Sequence, residues 1–418
     1  MKGNLIYGQS GGPTSVINAS AAGVFLEALS HSAEIEKVYA AHHGIVGILQ
    51  EDFFDMGQED PQELKLLKQT PSSALGSCRY KLAALEDDET DYARILEVFK
   101  KYNIRYFFYN GGNDSMDTCS KVSQYLRSKN YDCRVIGVPK TIDNDLAVTD
   151  HCPGYGSAAR YIATTLMEIY QDATVYDAGQ ITFVEIMGRH AGWLAAASAV
   201  AAAQGCGPDL IYLPERVFDL EKVIADIQEV YDRKGKVIVC FSEGVKTADG
   251  KFIPELDPQA DLSVDAFGHK QLGGAAETLA KIVGTRIPTK IRAIELSLMQ
   301  RCAAHLASER DVEDSFRAGQ AAVQAALAGK TDIMIGFARP DQGAYQTQIQ
   351  EIPLEVVANA EKKLPDAWIN AAGNGLEEPF LDYIMPLISG QPERILDPHG
   401  LPRFARLKFV QAGQKVDK

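Results

Sequence analysis

Apolar runs of strand length that alternate with amphipathic segments of helix length predict an α/β protein built on doubly wound parallel sheets. Two further observations agree. Polar, glycine-containing turns follow several of the apolar runs, at the carboxyl ends where a parallel sheet places its ligands. The 418 residues, 46% hydrophobic and 23% charged, are enough for two such domains with cores of their own.

Charge and cysteine usage narrow the function classes. A formal charge of -14 argues against non-specific binding to nucleic acid or an anionic membrane, since both need a basic face. A local cluster of arginine and lysine still suits a phosphorylated small molecule. The seven cysteines are scattered, with no CxxC pair and no metal-ligand spacing, as in a cytoplasmic protein with reduced thiols. The opening MKGNLIYGQSGG has an apolar run far short of a signal peptide, and no later stretch reaches transmembrane length. A cytoplasmic location is expected.

Asn4 to Gly8 reads as a strand that runs into Gln9-Ser10-Gly11-Gly12-Pro13-Thr14, then a helix from about Ser15 to Ser30 with Val16, Ala19, Val24 and Leu29 facing inward. Glycines at such a turn let backbone N–H groups approach an anion, although the pattern is neither a Walker loop nor GxGxxG. Strand Glu36 to Ala41 leads to His42-His43-Gly44, where two histidines without a third ligand do not make a metal site. Pro71 to Tyr80 is a small-residue loop carrying Arg79, suited to clamping an anion or to lying in solvent. Glu89 to Tyr102 places Ala93, Leu96, Val98 and Phe99 at helical spacing.

Two loops carry the most chemistry. Strand Arg105 to Tyr109 delivers Asn110-Gly111-Gly112-Asn113-Asp114-Ser115, and a helix to Lys129 begins with Ser115 as its cap. Strand Cys133 to Val138 delivers Pro139-Lys140-Thr141-Ile142-Asp143-Asn144-Asp145. So many aspartates and asparagines beside a lysine cannot be buried without partners, and a phosphate with a divalent cation satisfies them best.

His151 to Arg160 precede a helix to about Thr174. Gln180 to Ile186 is a strand, the turn from Met187 to Trp193 holds Gly188 and Arg189, and Trp193 to Ala203 is an alanine-rich helix. Pro208 to Leu213 and Lys236 to Ser242 are strands, the second ending at Glu243, whose carboxylate can accept bonds from sugar hydroxyls or cap the next turn. Pro254 to Gly274 is turn-rich, Ala275 to Val283 helical, and Lys290 to Leu298 a strand with Arg292, followed by Met299-Gln300-Arg301-Cys302. Val312 to Leu327 is an amphipathic helix and Ile333 to Phe337 a strand. Beyond Pro340 a hairpin-like Tyr345 to Ile352 leads into a tail wrapped over the core, with no assignable role. The expected divisions are 1–150, 151–340 and a C-terminal extension over 341–418.

In chain order, the GG turn at 11 and 12, LGSCR at 75 to 79, GGNDS at 111 to 115, PKTIDND at 139 to 145, MGRHAG at 187 to 192, SEG at 242 to 244 and QR at 300 and 301 resemble the phosphofructokinase family, within it the pyrophosphate-dependent branch. The resemblance implies two Rossmann-like doubly wound parallel-sheet domains with the active site in the cleft between them. It implies transfer of a phosphoryl group from pyrophosphate to the 1-hydroxyl of fructose 6-phosphate. Asp143 would be the general base, with Thr141 beside it on the substrate and Lys140 and Asp114 completing the catalytic set. Gly11, Gly12, Arg79 and Lys140 would line the donor phosphates in the first domain, with Asn113 and Asp145 facing Mg²⁺. Met187, Gly188, Arg189, Glu243, Arg292 and Arg301 would bind the sugar phosphate in the second. Subunits of this family complete each other's sugar-phosphate sites, which implies a homodimer or homotetramer.

Phosphoryl transfer needs an aligned hydroxyl, a base, and positive charge around oxygens that gain negative charge. With an ordinary carboxylate pKa, Asp143 would be ionised at pH 7. ATP-using relatives have glycine where Asp114 stands and usually where Lys140 stands. A carboxylate about 4 Å from an α-phosphate oxygen costs on the order of 4 kcal/mol, enough to exclude ATP. Lys140 in turn holds the leaving phosphate without nucleotide contacts. Three positions depart from the pattern. Asn113 stands where the family usually has a metal-binding aspartate, Gln180 where many bacterial relatives have an arginine, and Leu298 where those relatives have a histidine. They keep open a longer ketose such as sedoheptulose 7-phosphate, and an ATP-dependent kinase of the same fold is the other alternative.

Overall fold

The computed structural model describes residues 1–257, 273–340, 345–358 and 360–413. Its strands are β1 (Gly3–Gln9), β2 (Ile35–Ala41), β3 (Phe53–Asp55), β4 (Ile104–Gly111), β5 (Arg134–Pro139), β6 (Gln180–Ile186), β7 (Leu210–Tyr212), β8 (Lys236–Ser242), β9 (Lys290–Glu295), β10 (Ile333–Ala338) and β11 (Gln348–Pro353). They form a seven-stranded sheet of order β11-β10-β5-β4-β1-β2-β3 and a four-stranded sheet of order β7-β8-β6-β9. The first is parallel except at its two edges, and the second is parallel throughout.

The central strands of both sheets are covered on both faces, which is why they read as nearly unbroken apolar runs. In the first, Ile6, Phe107 and Val135 enter one core while Leu5, Phe108 and Ile136 enter the other. In the second, Val184 and Cys240 oppose Phe183 and Val239. The helices Ile17–Ser30 and Glu309–Leu327 cross at two glycines. A methyl group on Gly23 would fall against the Phe316 carbonyl, and one on Gly319 against the Ser20 carbonyl, so the backbones approach only because neither carries a side chain.

Register brings the polar loops together. Gly111 pairs with Pro139 at the ends of β4 and β5, Gln9 with Asn110 across β1 and β4, and Ile186 with Ser242 across β6 and β8.

Several expectations need correction. β10, expected in the second division, pairs in parallel with β5, so the chain returns to the first sheet before residue 340. The hairpin-like segment supplies β11, the antiparallel edge beside β10. The helix Leu220–Lys234 was not anticipated, although Asp219 caps its start and Gly235, at φ 71, closes its end. Ser115 lies inside the helix Asn113–Ser128, whose cap position is Gly112. The helix expected after Arg160 already starts at Tyr155, and Trp193 to Ala203 splits into Trp193–Ala196 and Ala199–Ala203. β9 stops at Glu295, leaving Leu298 exposed just before the short helix Met299–Cys302. Leu29, expected inward, is exposed, and so is Ala93 of the apolar set Ala93, Leu96, Val98 and Phe99. Of the turn-rich stretch from Pro254 to Gly274, residues 258–272 lie outside the described residues.

Candidate active site

Three loops of the first sheet tie one another in place. Gly11, at φ +76, is in the left-handed region that favours glycine. Its N–H donates to the Cys78 carbonyl at 3.1 Å, and its carbonyl accepts from Ser77 Oγ at 2.6 Å. The glycine turn is thereby lashed to the loop that carries Arg79. Ser10 N–H donates to the Asn110 carbonyl at 2.9 Å, and Lys140 N–H to the Gly111 carbonyl at 3.0 Å. The missing side chains make room for cations: a methyl group on Gly11 would sit 3.2 Å from Lys140 Nζ, and one on Gly12 3.2 Å from Arg301 Nη1.

The second sheet contributes the opposite wall. Gly188, at φ +134, donates its N–H to Glu243 Oε1 at 3.3 Å, and its carbonyl accepts from Ser242 Oγ. Met187 N–H donates to Gln300 Oε1 at 3.1 Å, which joins the β6 turn to the segment holding Arg301.

Between these walls lies a cleft with two lobes. The larger, about 760 Å³, is lined by Gly11, Gly12, Arg79, Asn113, Asp114, Lys140, Thr141, Asp143 and Asp145. The smaller, about 240 Å³, is lined by Met187, Arg189, Glu243 and Arg301, together with Gly12, Arg79, Lys140, Thr141 and Asp143. Lys140, Thr141 and Asp143 therefore stand on the wall common to both lobes.

The model of the family described as phosphofructokinase matches residues 4–295. The chain belongs to the phosphofructokinase family. It is 45% identical over 420 residues to the pyrophosphate–fructose 6-phosphate 1-phosphotransferase of Xanthomonas campestris pv. campestris (strain B100), covering 99% of this chain and 98% of that protein. The crystal structure of the pyrophosphate-dependent phosphofructokinase of Nitrosospira multiformis is similar with a TM-score of 0.89 and 40% identity, covering 100% of this chain and 99% of that one. A sulfofructose kinase of Alkalicoccus urumqiensis is 31% identical over 394 residues, covering 93% of this chain and 98% of that protein. Enzymes of the phosphofructokinase family are phosphotransferases that generally need a divalent metal cation. Among the described residues no helix is long and apolar enough to cross a membrane.

The cation requirement of the family can be weighed against the residues present. Asn113 Nδ2 donates to Asp145 Oδ2 at 3.3 Å, and Asn113 Oδ1 is buried with no hydrogen-bond partner. An orphaned amide oxygen beside a carboxylate fits an oxygen-seeking divalent cation. Among the described residues no group of three His, Cys, Asp or Glu side chains is placed to hold a metal ion, so such a cation would take its other ligands from phosphate and water.

Burial dominates the electrostatics of the common wall. It pushes the Lys140 ammonium down to about 8, although Asp143 and Asp145 pull the other way. Asp143 is pushed up to about 7, first by burial and then by Asp145 and Glu243, so the expectation of an ordinary carboxylate is not met. Burial also raises Asp145 and Glu243, and it lowers Arg301, which faces Arg79 as well. A charged, poorly solvated wall of this kind is stabilised by an incoming multivalent anion with its cation.

Of the expected site residues, Gly188 lines neither lobe but bonds to Glu243 of the smaller one, whereas Arg292 stands apart. It lines a separate hollow of about 300 Å³ with Gln180 and Thr182, and its Nη1 donates to Asp172 Oδ2 at 3.4 Å. Sequence reasoning also missed Tyr80, Lys81, Thr118 and Glu361 of the larger lobe. Glu361 comes from the C-terminal extension, where no local motif marks it.

Proposed function

We propose that this cleft transfers a phosphoryl group from pyrophosphate to the 1-hydroxyl of fructose 6-phosphate, reversibly, giving fructose 1,6-bisphosphate and phosphate. The observation that carries the reading is the position of Asp143 and Lys140 on the wall common to both lobes. Pyrophosphate occupies the larger lobe against Gly11, Gly12, Arg79 and Lys140. The sugar phosphate occupies the smaller, with Arg189 and Arg301 on its charge, Glu243 on its hydroxyls, and Met187, Gly188 and Thr141 shaping the wall. Asp143 takes the proton of the 1-hydroxyl as its oxygen bonds to phosphorus. The bond to the bridging oxygen breaks, and phosphate leaves against the Lys140 ammonium. Mg²⁺, held by Asn113 and Asp145, would neutralise the donor oxygens. Asp114 lines the same lobe, and its negative charge would repel the α-phosphate of a nucleotide, which reserves the lobe for the bare donor.

Arg292, away from the cleft of its own chain, serves the sugar phosphate of a neighbouring subunit, so the enzyme works as a homodimer or homotetramer in the cytoplasm. Residues around the first sheet bind the donor, and the loops of the second bind the sugar. The full-length relative named sulfofructose kinase, with Gln180 and Leu298 in this chain, favours testing the acceptor separately. The deciding assay pairs pyrophosphate or ATP with fructose 6-phosphate and sedoheptulose 7-phosphate, with and without Mg²⁺. Turnover is expected with pyrophosphate and fructose 6-phosphate, lost with a chelator and restored by Mg²⁺. Turnover with ATP alone would refute the donor, and preference for the longer ketose would refute the acceptor.

A further inference from the structure

Two side chains of the C-terminal extension end at the catalytic loop. Asn144, between Asp143 and Asp145, has φ 56, in the left-handed region that asparagine enters more readily than most residues with a side chain. Its amide is held at both atoms: Nδ2 donates to Tyr383 Oη at 2.8 Å, while Oδ1 accepts from Cys152 N–H at 2.9 Å and from Lys362 Nζ at 3.4 Å. Lys362 Nζ also donates to the carbonyls of Thr149 at 3.1 Å and Asp150 at 2.8 Å, and its backbone N–H donates to the Asp145 carbonyl at 2.7 Å. Tyr383 Oη donates to the Asp150 carbonyl at 2.7 Å.

The same segment grips the sugar-side turn. Trp193, at the end of the turn after β6, donates Nε1 to the Lys362 carbonyl at 2.9 Å, and Lys362 Nζ lies 5.1 Å from the centre of its ring. Glu215 Oε1 accepts from both Gly192 N–H at 2.8 Å and Leu364 N–H at 3.2 Å. Residues 362 to 364 thus fasten a loop of the first sheet to a loop of the second. Neither Lys362 nor Tyr383 lines either lobe.

We propose that Lys362 is a positioning residue for phosphoryl transfer: with Tyr383 it holds Asn144, and through Asn144 the carboxylate of Asp143, in register with the sugar-side turn. The proposal rests on the reading of Asp143 as the base. Small displacements at a reacting centre suffice to cost rate, since a 1 Å misplacement is worth on the order of 10²-fold.

The test uses the full chain with Lys362→Met, Lys362→Arg and Tyr383→Phe. The last removes one oxygen and keeps the ring near Trp193 and Arg339. Without substrates, amide hydrogen exchange is expected to quicken in segments 139–152 and 187–193 for Lys362→Met, and in 139–152 alone for Tyr383→Phe. In turnover, kcat of Lys362→Met is expected to fall on the order of 10²-fold with KM for both substrates within about threefold, and Lys362→Arg to recover part of it. Unchanged exchange in 139–152 for both Lys362→Met and Tyr383→Phe overturns the proposal. So does a Lys362→Met kcat within about twofold of the parent, or a loss confined to KM. A parent inactive with pyrophosphate and fructose 6-phosphate would instead refute the proposed reaction, and the exchange measurement would still decide the role of Lys362. Should Lys362→Met not fold, Tyr383→Phe decides by the same two readouts.

Discussion

At Asp143 and Lys140, burial moves two opposite charges toward each other on the pH scale, and the direction of each shift sets the rate profile. As the proposed base, Asp143 must be ionised to accept a proton, so kcat/KM is expected to rise with pH through about 7. As the proposed phosphate ligand, Lys140 must stay protonated, so kcat/KM is expected to fall above about 8. A narrow bell is expected in a pH series, and Asp143→Ser should abolish turnover rather than shift the profile. Under the proposed function, donor choice falls to Asp114. Replacing it with glycine removes a repulsion worth on the order of 4 kcal/mol, so ATP turnover should rise by up to about 10³-fold. Unchanged ATP use in that variant would detach Asp114 from donor choice. The residue types at these positions could be read directly, because a carboxylate or ammonium in a polar loop declares its chemistry. Their altered pKa values could not, because desolvation depends on neighbours far away in the chain.

Among the elements, the start of the helix Tyr155–Ala173 shows how a helix terminus can be taken out of play as an anion site. Gly154 and Ser157 donate their N–H groups to the buried carboxylate of Asp311 at 2.9 and 2.8 Å. That carboxylate belongs to the helix Glu309–Leu327, whose own start is capped by Ser308. Asp311→Ala would leave both N–H groups buried and unsatisfied, and a loss of roughly 2–4 kcal/mol is expected in denaturant unfolding. Asp311→Asn, which keeps one acceptor, should lose less. The central strands were legible, since a strand buried on both faces is an apolar run, whereas the three-residue edge strand β3 was not. Helix ends were less so. Tyr155 to Arg160, rich in small residues, carry no boundary signal of their own, and the cap that sets the boundary comes from another helix. The helix Leu220–Lys234 did carry signals, with Asp219 and Gly235 at its ends and Val223, Ile224, Ile227 and Val230 inward.

For the molecule as a whole, the distance of Arg292 from its own cleft leads to a prediction about assembly. If a neighbour supplies Arg292, subunits carrying Asp143→Ser and subunits carrying Arg292→Ala should complement each other when mixed, because one site of each mixed pair regains both groups. Activity above the sum of the separate variants is the expected result. Additive activity would refute the supply of Arg292 by a neighbouring subunit. Sequence alone determined the α/β class, the order of the loops and the chemical identity of the groups in the cleft, because short-range apolar patterning and local motifs encode all three. Only the tertiary structure decided that β10 rejoins the first sheet, that Asn113 leaves an oxygen open beside Asp145, and that Lys362 and Tyr383 reach back to Asn144. Each of those depends on contacts between residues distant in the chain, which local patterning does not record.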